Sequence, residues 1–253
     1  MIPGSNGQPP DPSPEPPTGA PPFAARIVAV IEVLLCSDLL TQYAIGGTLF
    51  ALGYPAKLPN GQLNVGYVVA LSLGDAALLV GLILLLLYAH GERPRDVLFG
   101  RRPIVGEGLL GLLLIPLAFG IAIVVMLSVR RFAPSLHNVP DNPLQGLLTS
   151  PRDAWLFALV VLVAGGVREE IQRAFLLHRF DVWLGGGTIG LVVTSVAFGA
   201  GHFELQGADA GLATGLLGAF WGVVYLRRRS SLAPMVSHAG FDLLQILPFL
   251  GPR

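Results

Sequence analysis

Long apolar stretches, separated by short polar segments, dominate the chain from residue 26 onwards. A helix needs about 20 apolar residues to cross the hydrocarbon core of a bilayer. The clearest stretch, residues 108–129, carries no charge until its end, and residues 66–88 are interrupted only by Asp75. The pattern predicts helices that span a membrane.

Five further segments have a suitable length. One is apolar over residues 155–167 and then continues through charged residues, without Gly or Pro, as far as Gly185. We interpret it as one long helix that is polar in its second half. The other four are residues 26–52, 187–203, 210–226 and 232–250. The sequence thus predicts an all-α, polytopic transmembrane bundle of about seven helices.

Composition agrees with a membrane location. The chain is 53% hydrophobic and only 13% charged, whereas soluble domains carry about a quarter charged residues. Membrane lipid is therefore an expected partner. The net charge is zero and no large basic patch exists, which argues against a nucleic-acid partner. The single cysteine, Cys36, excludes an intrachain disulfide framework.

The first 25 residues differ from the rest of the chain. Nine prolines fall within residues 1–22, among small and polar residues. Such a segment cannot bury enough apolar surface to fold, so we predict a disordered tail over residues 1–25. Residues 26–253 are then the transmembrane domain.

Arginines in the loops indicate the orientation, because short cytoplasmic loops are enriched in Lys and Arg. Residues 93–102 carry four arginines and residues 227–229 carry three. Placing both loops in the cytoplasm puts the N-terminus there too, although Arg130 and Arg131 then fall on the opposite side. We expect a cell inner (plasma) membrane location.

Three groups of polar residues lie inside the predicted spans of the last hundred residues. Ionisable groups within a membrane are costly, usually face the bundle interior and mark function by default. Residues 168–173 read Arg-Glu-Glu-Ile-Gln-Arg, residues 198–202 end in His202, and residues 237–242 contain His238 and Asp242. We interpret them as parts of one functional site.

Helix geometry supports that interpretation. Either Glu169 or Glu170 can meet Arg173 on one face of a helix. Glu169 lies 17 residues before Gly186, and His202 lies 16 residues after it. At about 1.5 Å per residue these two side chains have nearly the same depth. His238 comes early in its own helix, so the depths agree only if the two helices that carry Glu169 and His202 project beyond the membrane surface there.

The chemistry of these groups is hydrolytic. A desolvated carboxylate can act as general base toward water, and a histidine can hold that water or stabilise an oxyanion. Simpler explanations exist: an intrahelical ion pair for Arg173, and satisfied interior histidines for His202 and His238. Asp38, Asp75 and Glu107 have no partner that the sequence identifies, and they are left as structural or unknown. His90, His137 and His178 fall at helix ends or in loops, where we expect contact with water.

The three groups resemble motifs of the CPBP family of intramembrane endopeptidases, which includes the type II CAAX prenyl endopeptidases. That family has Glu-Glu-x-x-x-Arg, Phe-x-x-x-His and His-x-x-x-Asn motifs. The counterparts here begin at Glu169, Phe198 and His238. The resemblance covers residues 150–245.

The resemblance implies peptide-bond hydrolysis by an activated water. Glu169 would be the base, His202 its partner and His238 an oxyanion donor, while Arg173 would orient the glutamates. The implied substrate is a membrane-associated peptide or protein, with a CAAX-type prenylated protein as one class.

Two departures from the motifs leave alternatives open. Arg173 is one residue too close to the glutamate pair, so either Glu169 or Glu170 could be the base, with Arg168 in the place of the first glutamate. Asp242 stands where the family has Asn. An ionised Asp cannot donate a hydrogen bond, so Asp242 would work protonated or orient His238. Alternatively, it would help bind a divalent metal such as zinc, together with His202, His238 and Glu169.

Two other functional classes compete with the protease. One is a catalytically inactive relative that acts as a membrane interaction or immunity factor. The other is a transporter or cofactor carrier, for which His202 and His238 would be the candidate haem ligands; we expect no haem.

Overall fold

The computed structural model describes residues 22–139 and 145–250. Every regular element within them is helical, apart from one isolated bridge between Lys57 and Leu63. The α-helices of these residues are α1 (Phe23–Leu35), α2 (Leu39–Ala51), α3 (Val65–Ala89), α4 (Ile104–Phe132), α5 (Pro151–Val160), α6 (Glu169–Trp183), α7 (Gly187–Gln206), α8 (Ala208–Arg228) and α9 (Leu232–Ile246). The prediction of an all-α bundle is confirmed.

Three of the described helices, α3, α4 and α8, are long and apolar enough to cross a membrane. α7 is apolar over the shorter range Gly187–Phe203. Large apolar side chains point away from the protein on these helices: Leu85 is 61% exposed, Leu113 75% and Val196 67%. In water such surfaces would be unfavourable, and in a bilayer they face lipid. The chain is an integral membrane protein.

The first predicted span is discontinuous, which corrects the prediction of one helix over residues 26–52. α1 and α2 have 13 residues each, or about 20 Å at the usual rise, and neither crosses a bilayer alone. Between them the Ser37 hydroxyl donates to the carbonyl of Leu34, and Asp38 has a φ of 76°, in the left-handed region. Asp and Asn adopt that conformation more readily than most residues, so the turn has a local cause.

Contacts with α6 and α3 show how α1 and α2 are arranged. Gln172 donates to the carbonyl of Cys36 at 2.8 Å, and Arg179 of α6 contacts Glu32, so α1 runs antiparallel to α6. α2 packs against α3 and runs antiparallel to it. Broken backbone is tolerated at membrane depth when it lies against protein. Together the two short helices therefore replace one span.

The long helix predicted from residue 155 is present and begins earlier. Ser150 caps α5 by accepting from the backbone N–H of Asp153. The backbone then continues without a break through a π-helical segment, Val161–Arg168, into α6. π-Helical turns change the rotation of the residues that follow them, so this segment sets the direction of the charged residues at the start of α6.

Four glycines on one face of α8, which we call the glycine stripe, pack this helix against α7, as small residues at this spacing do: Gly211, Gly215, Gly218 and Gly222. A Cβ placed on Gly211 would lie 2.9 Å from the carbonyl oxygen of Gly199, and one on Gly215 would lie 3.2 Å from that of Ser195. The two helices are therefore in backbone contact. This contact fixes the height of Phe198 and His202 relative to α8.

α9 begins deeper in the bundle than the start of α4, the helix beside it. Its first turn packs at Gly111, where a Cβ would lie 2.8 Å from the carbonyl oxygen of Ala233. Gly111 is seven residues into α4, or about 10 Å along that helix. A π-helical turn, Arg95–Phe99, supports the α8–α9 connection, since Ser231 donates through its backbone N–H to Leu98 at 2.9 Å. α4 thus projects past the start of α9, and so does α6, which continues for 13 residues beyond Glu170 while α9 has only six residues before His238.

The N-terminal boundary differs slightly from the prediction. α1 begins at Phe23, three residues before the predicted start of the folded domain. The predicted disordered tail otherwise falls on residues 1–21, which lie outside the described residues.

Candidate active site

Two glycines bring α9 against the π-helical segment. A Cβ on Gly166 would lie 2.5 Å from the Cβ of Ala239, and one on Gly165 would lie 2.9 Å from Oδ2 of Asp242. Only glycine at these positions permits such an approach. The close packing places the His238 and Asp242 face of α9 directly beside the glutamates that follow the segment.

Glu170 is the buried centre of the site, with 1% of its surface exposed. Its Oε1 accepts from Nη1 of Arg173, one turn further along α6, and lies 2.8 Å from Nδ1 of His238. An ionised carboxylate only accepts hydrogen bonds, so Nδ1 of His238 carries a proton. Arg173 and His238 together stabilise a charge that would otherwise be costly to bury.

The other ring nitrogen of His238 faces two more carboxylates. Nε2 lies 3.5 Å from Oδ2 of Asp242 and 3.9 Å from Oε2 of Glu169. The indole of Trp221 stacks on the imidazole with ring centroids 3.9 Å apart, and its Nε1 donates to the Ser237 hydroxyl at 3.1 Å. His238 is therefore fixed in orientation and joins α6 to α9.

His202 has a defined tautomer. Its Nδ1 lies 2.8 Å from the backbone carbonyl of Phe198, which can only accept, so Nδ1 carries the proton. In the neutral ring Nε2 then holds a lone pair. The rings of Phe198 and His202 meet edge-on with their centroids 4.8 Å apart. The Phe198 ring also contacts Arg173, whose guanidinium carbon lies 4.8 Å from the ring centroid. The phenyl ring thus separates His202 from Arg173.

The structure brings the six candidate residues into one cluster, which we call the site cluster: Glu169, Glu170, Arg173, His202, His238 and Asp242. Asp242 interacts electrostatically with both histidines and both glutamates. Among the described residues, however, no hydrogen bond joins Glu169 to His202, and Arg173 is paired with Glu170 rather than with both glutamates. Arg173 does form the intrahelical ion pair that the sequence offered as the simpler explanation.

Exposure separates the two glutamates. The Glu169 side chain is 17% exposed and that of Asp242 is 24% exposed, whereas that of Glu170 is 1% exposed. One side of the cluster is therefore open to the surroundings of the protein. Glu170 faces only protein.

Several residues that shape the site were not identified from the sequence. Trp221 lies on the same helix as the glycine stripe, and its contact with His238 depends on how α8 meets α9. The Gly165–Gly166 pair in the middle of a span was a usable signal, since adjacent glycines at membrane depth indicate close helix approach.

Arg168 provides partners for two carboxylates that the sequence left unassigned. Its Nη1 lies 3.1 Å from Oδ2 of Asp38, and its Nε lies 3.6 Å from Oδ2 of Asp75. Its Nη2 is 3.9 Å from Oε1 of Glu169. We call Asp38, Asp75 and Arg168 the arginine–aspartate cluster. At the start of α4, Glu107 is paired with Arg228 at 2.5 Å.

A third charged network lies where α3 and α6 end. Arg179 joins Glu32 to Glu92, and His90 and His178 lie at its two ends. These histidines are partly exposed, as expected, but each also pairs with a carboxylate, which the sequence did not indicate, and His137 likewise pairs with Asp209 at 2.6 Å. Burial raises the pKa of Glu92, but hydrogen bonds from His178 and Arg179 outweigh it and leave that pKa below 4.5, its ordinary value.

A zinc ion needs at least three protein ligands in tetrahedral reach of one point. Within residues 22–139 and 145–250, no group of three His, Cys, Asp or Glu residues has an arrangement that could hold a metal. In the site cluster, Nδ1 of both histidines is already used by Glu170 and by Phe198, which leaves Nε2 as the nitrogen of each ring that could bind a metal. A divalent metal such as zinc stays a prediction.

Comparison with known proteins gives one family. Residues 151–244 match the family model described as type II CAAX prenyl endopeptidase Rce1-like, over less than half of the chain. No curated protein and no solved structure matches the chain. The matched segment contains all three motifs and every residue of the site cluster. It confirms the resemblance drawn from the motifs: residues 151–244 are similar to the Rce1-like type II CAAX prenyl endopeptidases, a family of intramembrane proteases.

Proposed function

We propose that this protein is an intramembrane endopeptidase that hydrolyses a peptide bond in a membrane-associated protein or peptide, with CAAX-type prenylated proteins as the substrate class. One observation carries the proposal. Side chains from all three motifs surround His238, which contacts Glu170 through one ring nitrogen, faces Glu169 and Asp242 with the other, and meets the Phe198 ring edge-on with centroids 6.2 Å apart. The family match supplies the reaction class.

Glu169 is the better candidate for the base that activates water. It is partly exposed, and none of its oxygens is in a close ion pair among the described residues, since Arg168 and His238 each lie 3.9 Å away. Glu170 is buried and its Oε1 is held by Arg173 and His238, so it is less accessible to water than Glu169. We assign Glu170 and Arg173 to positioning His238.

The two histidines have different parts in this proposal. The free Nε2 lone pair of His202 can accept a hydrogen bond from the attacking water and help to hold it near Glu169. His238 donates through Nδ1 to Glu170, and its Nε2 faces carboxylates that favour a proton there as well. A His238 with both nitrogens protonated can donate through Nε2 to the oxyanion that forms on the scissile carbonyl.

Asp242 has a consistent role in that arrangement. Asn in its place would donate a hydrogen bond itself, whereas an ionised Asp242 favours the protonated form of His238. The donor to the oxyanion is then Nε2 of His238 alone. The proton taken by Glu169 from water is passed to the leaving amine, which completes the hydrolysis.

Cleavage by purified protein tests the proposal. A fluorogenic peptide ending in a farnesylated CAAX sequence, presented in detergent or lipid vesicles, should be cut by the wild type. Glu169→Gln and His202→Ala should each lower kcat by at least about a hundredfold, the usual contribution of acid–base groups. His137→Ala, which changes a histidine outside the site cluster, is the matched control and should retain activity.

Full activity in both Glu169→Gln and His202→Ala would end the proposal. An inactive wild type whose cellular phenotype survives both changes would instead favour the membrane interaction factor. Repeating the assay with a chelator, and measuring the metal content of the purified protein, decides between metal-free and metal-dependent hydrolysis. The same peptide without its prenyl group tests the substrate class.

A further inference from the structure

The arginine–aspartate cluster is built differently from an ordinary buried ion pair. Asp75 is 1% exposed and Arg168 is 6% exposed, at a depth where lipid surrounds the bundle. Two carboxyl groups share one guanidinium. If both were ionised, the cluster would hold a net negative charge, which is strongly unfavourable away from water.

The cluster has a second, independent deficit, because several of its buried polar atoms lack hydrogen-bond partners. Both carboxyl oxygens of Asp75 and Oδ1 of Asp38 are buried without a hydrogen-bond donor, and Nε of Arg168 is buried without an acceptor. The Asp75 carboxyl also faces that of Asp38 directly. Two ionised carboxylates offer only acceptors to one another, so this arrangement lacks a donor.

One proton would remove both deficits. It would bring the charge of the cluster to zero and supply the missing O–H donor between the two carboxyl groups. We propose that Asp38 and Asp75 share one proton and, with Arg168, form a positioning site for Glu169. This second part rests on the proposed protease function.

The position of the cluster explains why it would matter for Glu169. Arg168 immediately precedes Glu169, and its Nη2 is the nearest positive group to Oε1 of Glu169, at 3.9 Å. Its other two contacts reach the α1–α2 break and α3. Gln172 adds a second link, because it contacts both Arg168 and the carbonyl of Cys36. The cluster therefore ties the start of α6 to the broken helix.

The charges around the pair determine how it titrates. Asp38 and Asp75 face each other and Arg168, and Thr41 of α2 faces Asp75 as well. Glu169 lies 3.9 Å from a different guanidinium nitrogen, Nη2. Loss of the shared proton would leave two carboxylates competing for Arg168, and the guanidinium would be drawn away from Glu169.

Infrared spectroscopy of the full-length protein in lipid tests the shared proton without any assay of activity. The wild type should show a C=O stretching band of a protonated carboxylic acid at neutral pH that shifts in deuterated buffer. Asp75→Asn and Asp38→Asn should each lose that intensity, because the remaining aspartate is ionised beside Arg168. Asp153→Asn, at the start of α5, is the control and should keep the band.

Cleavage kinetics test the positioning role. Asparagine reproduces a protonated aspartic acid, so Asp75→Asn should keep kcat within about threefold, whereas Arg168→Met should lower kcat about tenfold or more with KM little changed. Equal kcat in Arg168→Met and wild type would overturn the positioning role. Full acid-band intensity in both aspartate variants, or no such band in the wild type, would overturn the shared proton. If the wild type cleaves nothing, the protease function fails, and the infrared result still decides on the proton.

Discussion

Two arginines five residues apart in the chain, Arg168 and Arg173, contact buried carboxylates in opposite ways. Arg173 faces a single carboxylate, Glu170, and His238 supplies a second donor, so every buried polar atom of that pair has a partner within the described residues. Arg168 faces two carboxylates, and three of their four oxygens have no donor. The arrangement around Arg173 has all its hydrogen-bond partners as it stands, and it fixes the orientation of His238. The arrangement around Arg168 is complete only when it takes up a proton, so its charge depends on its surroundings.

Exchanging each carboxylate for its amide gives the largest contrast. Glu170→Gln leaves the Arg173 guanidinium buried without a counter-ion, a change that typically costs about 3–5 kcal/mol. Asp75→Asn should cost less than about 1 kcal/mol, because the amide resembles an acid that is already neutral. The free energy of unfolding in mixed detergent micelles measures both. Similar losses in the two variants would remove the distinction between the clusters.

Adding a side chain at the contact between the π-helical segment and α9 should have the next largest effect on stability. Gly166→Ala places a Cβ against Ala239, whose backbone cannot easily retreat, and overpacking of this kind costs about 1–3 kcal/mol. Gly120→Ala is a control in α4, where an added Cβ meets nothing within 4 Å, and it should be neutral or slightly stabilising. Thermal unfolding in detergent compares the two. An unchanged unfolding temperature in Gly166→Ala would mean that α9 is not held by backbone contact.

The Trp221 indole, which stacks on His238, allows a finer test of the site cluster. Trp221→Phe removes the stacking surface on His238 and the hydrogen bond to Ser237, and should destabilise the protein by about 1–2 kcal/mol. Ser237→Ala removes only the hydrogen bond and should cost less. We also expect cleavage to fall in Trp221→Phe, because His238 would be less firmly oriented. A Ser237→Ala loss as large as that of Trp221→Phe would assign the effect to the hydrogen bond.

The network at the end of α3 should give the smallest effect, because it is partly solvated. The pKa of Glu92 is below its ordinary value of 4.5, so the stabilisation is present above about pH 4.5 and is lost as the pH falls through the folded-state value. Glu92→Gln should lower stability by no more than about 1 kcal/mol at neutral pH. It should also reduce the loss of stability at acid pH, which we call the acid limb of the stability curve. Unfolding followed between pH 3 and 7, on the scale of carboxyl titration, compares the variant with wild type. An identical acid limb in both would contradict the assignment.

Much of the fold follows from local pattern. The apolar runs predicted the positions of α3, α4, α7 and α8, because each side of those helices that faces lipid must be apolar. The long helix ending near Gly185 was also predicted, since no Gly or Pro interrupts its polar half. These features depend only on neighbouring residues.

The break between α1 and α2 shows where local pattern is insufficient. Apolar residues lie on both sides of Cys36, so the run resembles a single span. The break is stabilised by Gln172 and Arg168, more than 120 residues away, and no local signal identifies them. Asp38 and Asp75 had no visible partner for the same reason.

The site was predictable in its members but not in its pairing. Motif spacing brought Glu169, His202 and His238 together as a set. Which glutamate meets Nδ1 of His238 depends on the rotation of α6 relative to α9, and the π-helical segment determines that rotation. The sequence therefore left Glu169 and Glu170 open, and their different exposure separates them.

The depth at which α9 begins has a consequence for the surrounding lipid. α9 has 15 residues, or about 22 Å, against a hydrocarbon thickness of about 30 Å. Bilayers adapt to a short helix by local thinning. We expect headgroups to be drawn inward beside His238 and Asp242, so that a polypeptide anchored at the membrane surface would need only a short descent to place its backbone next to them.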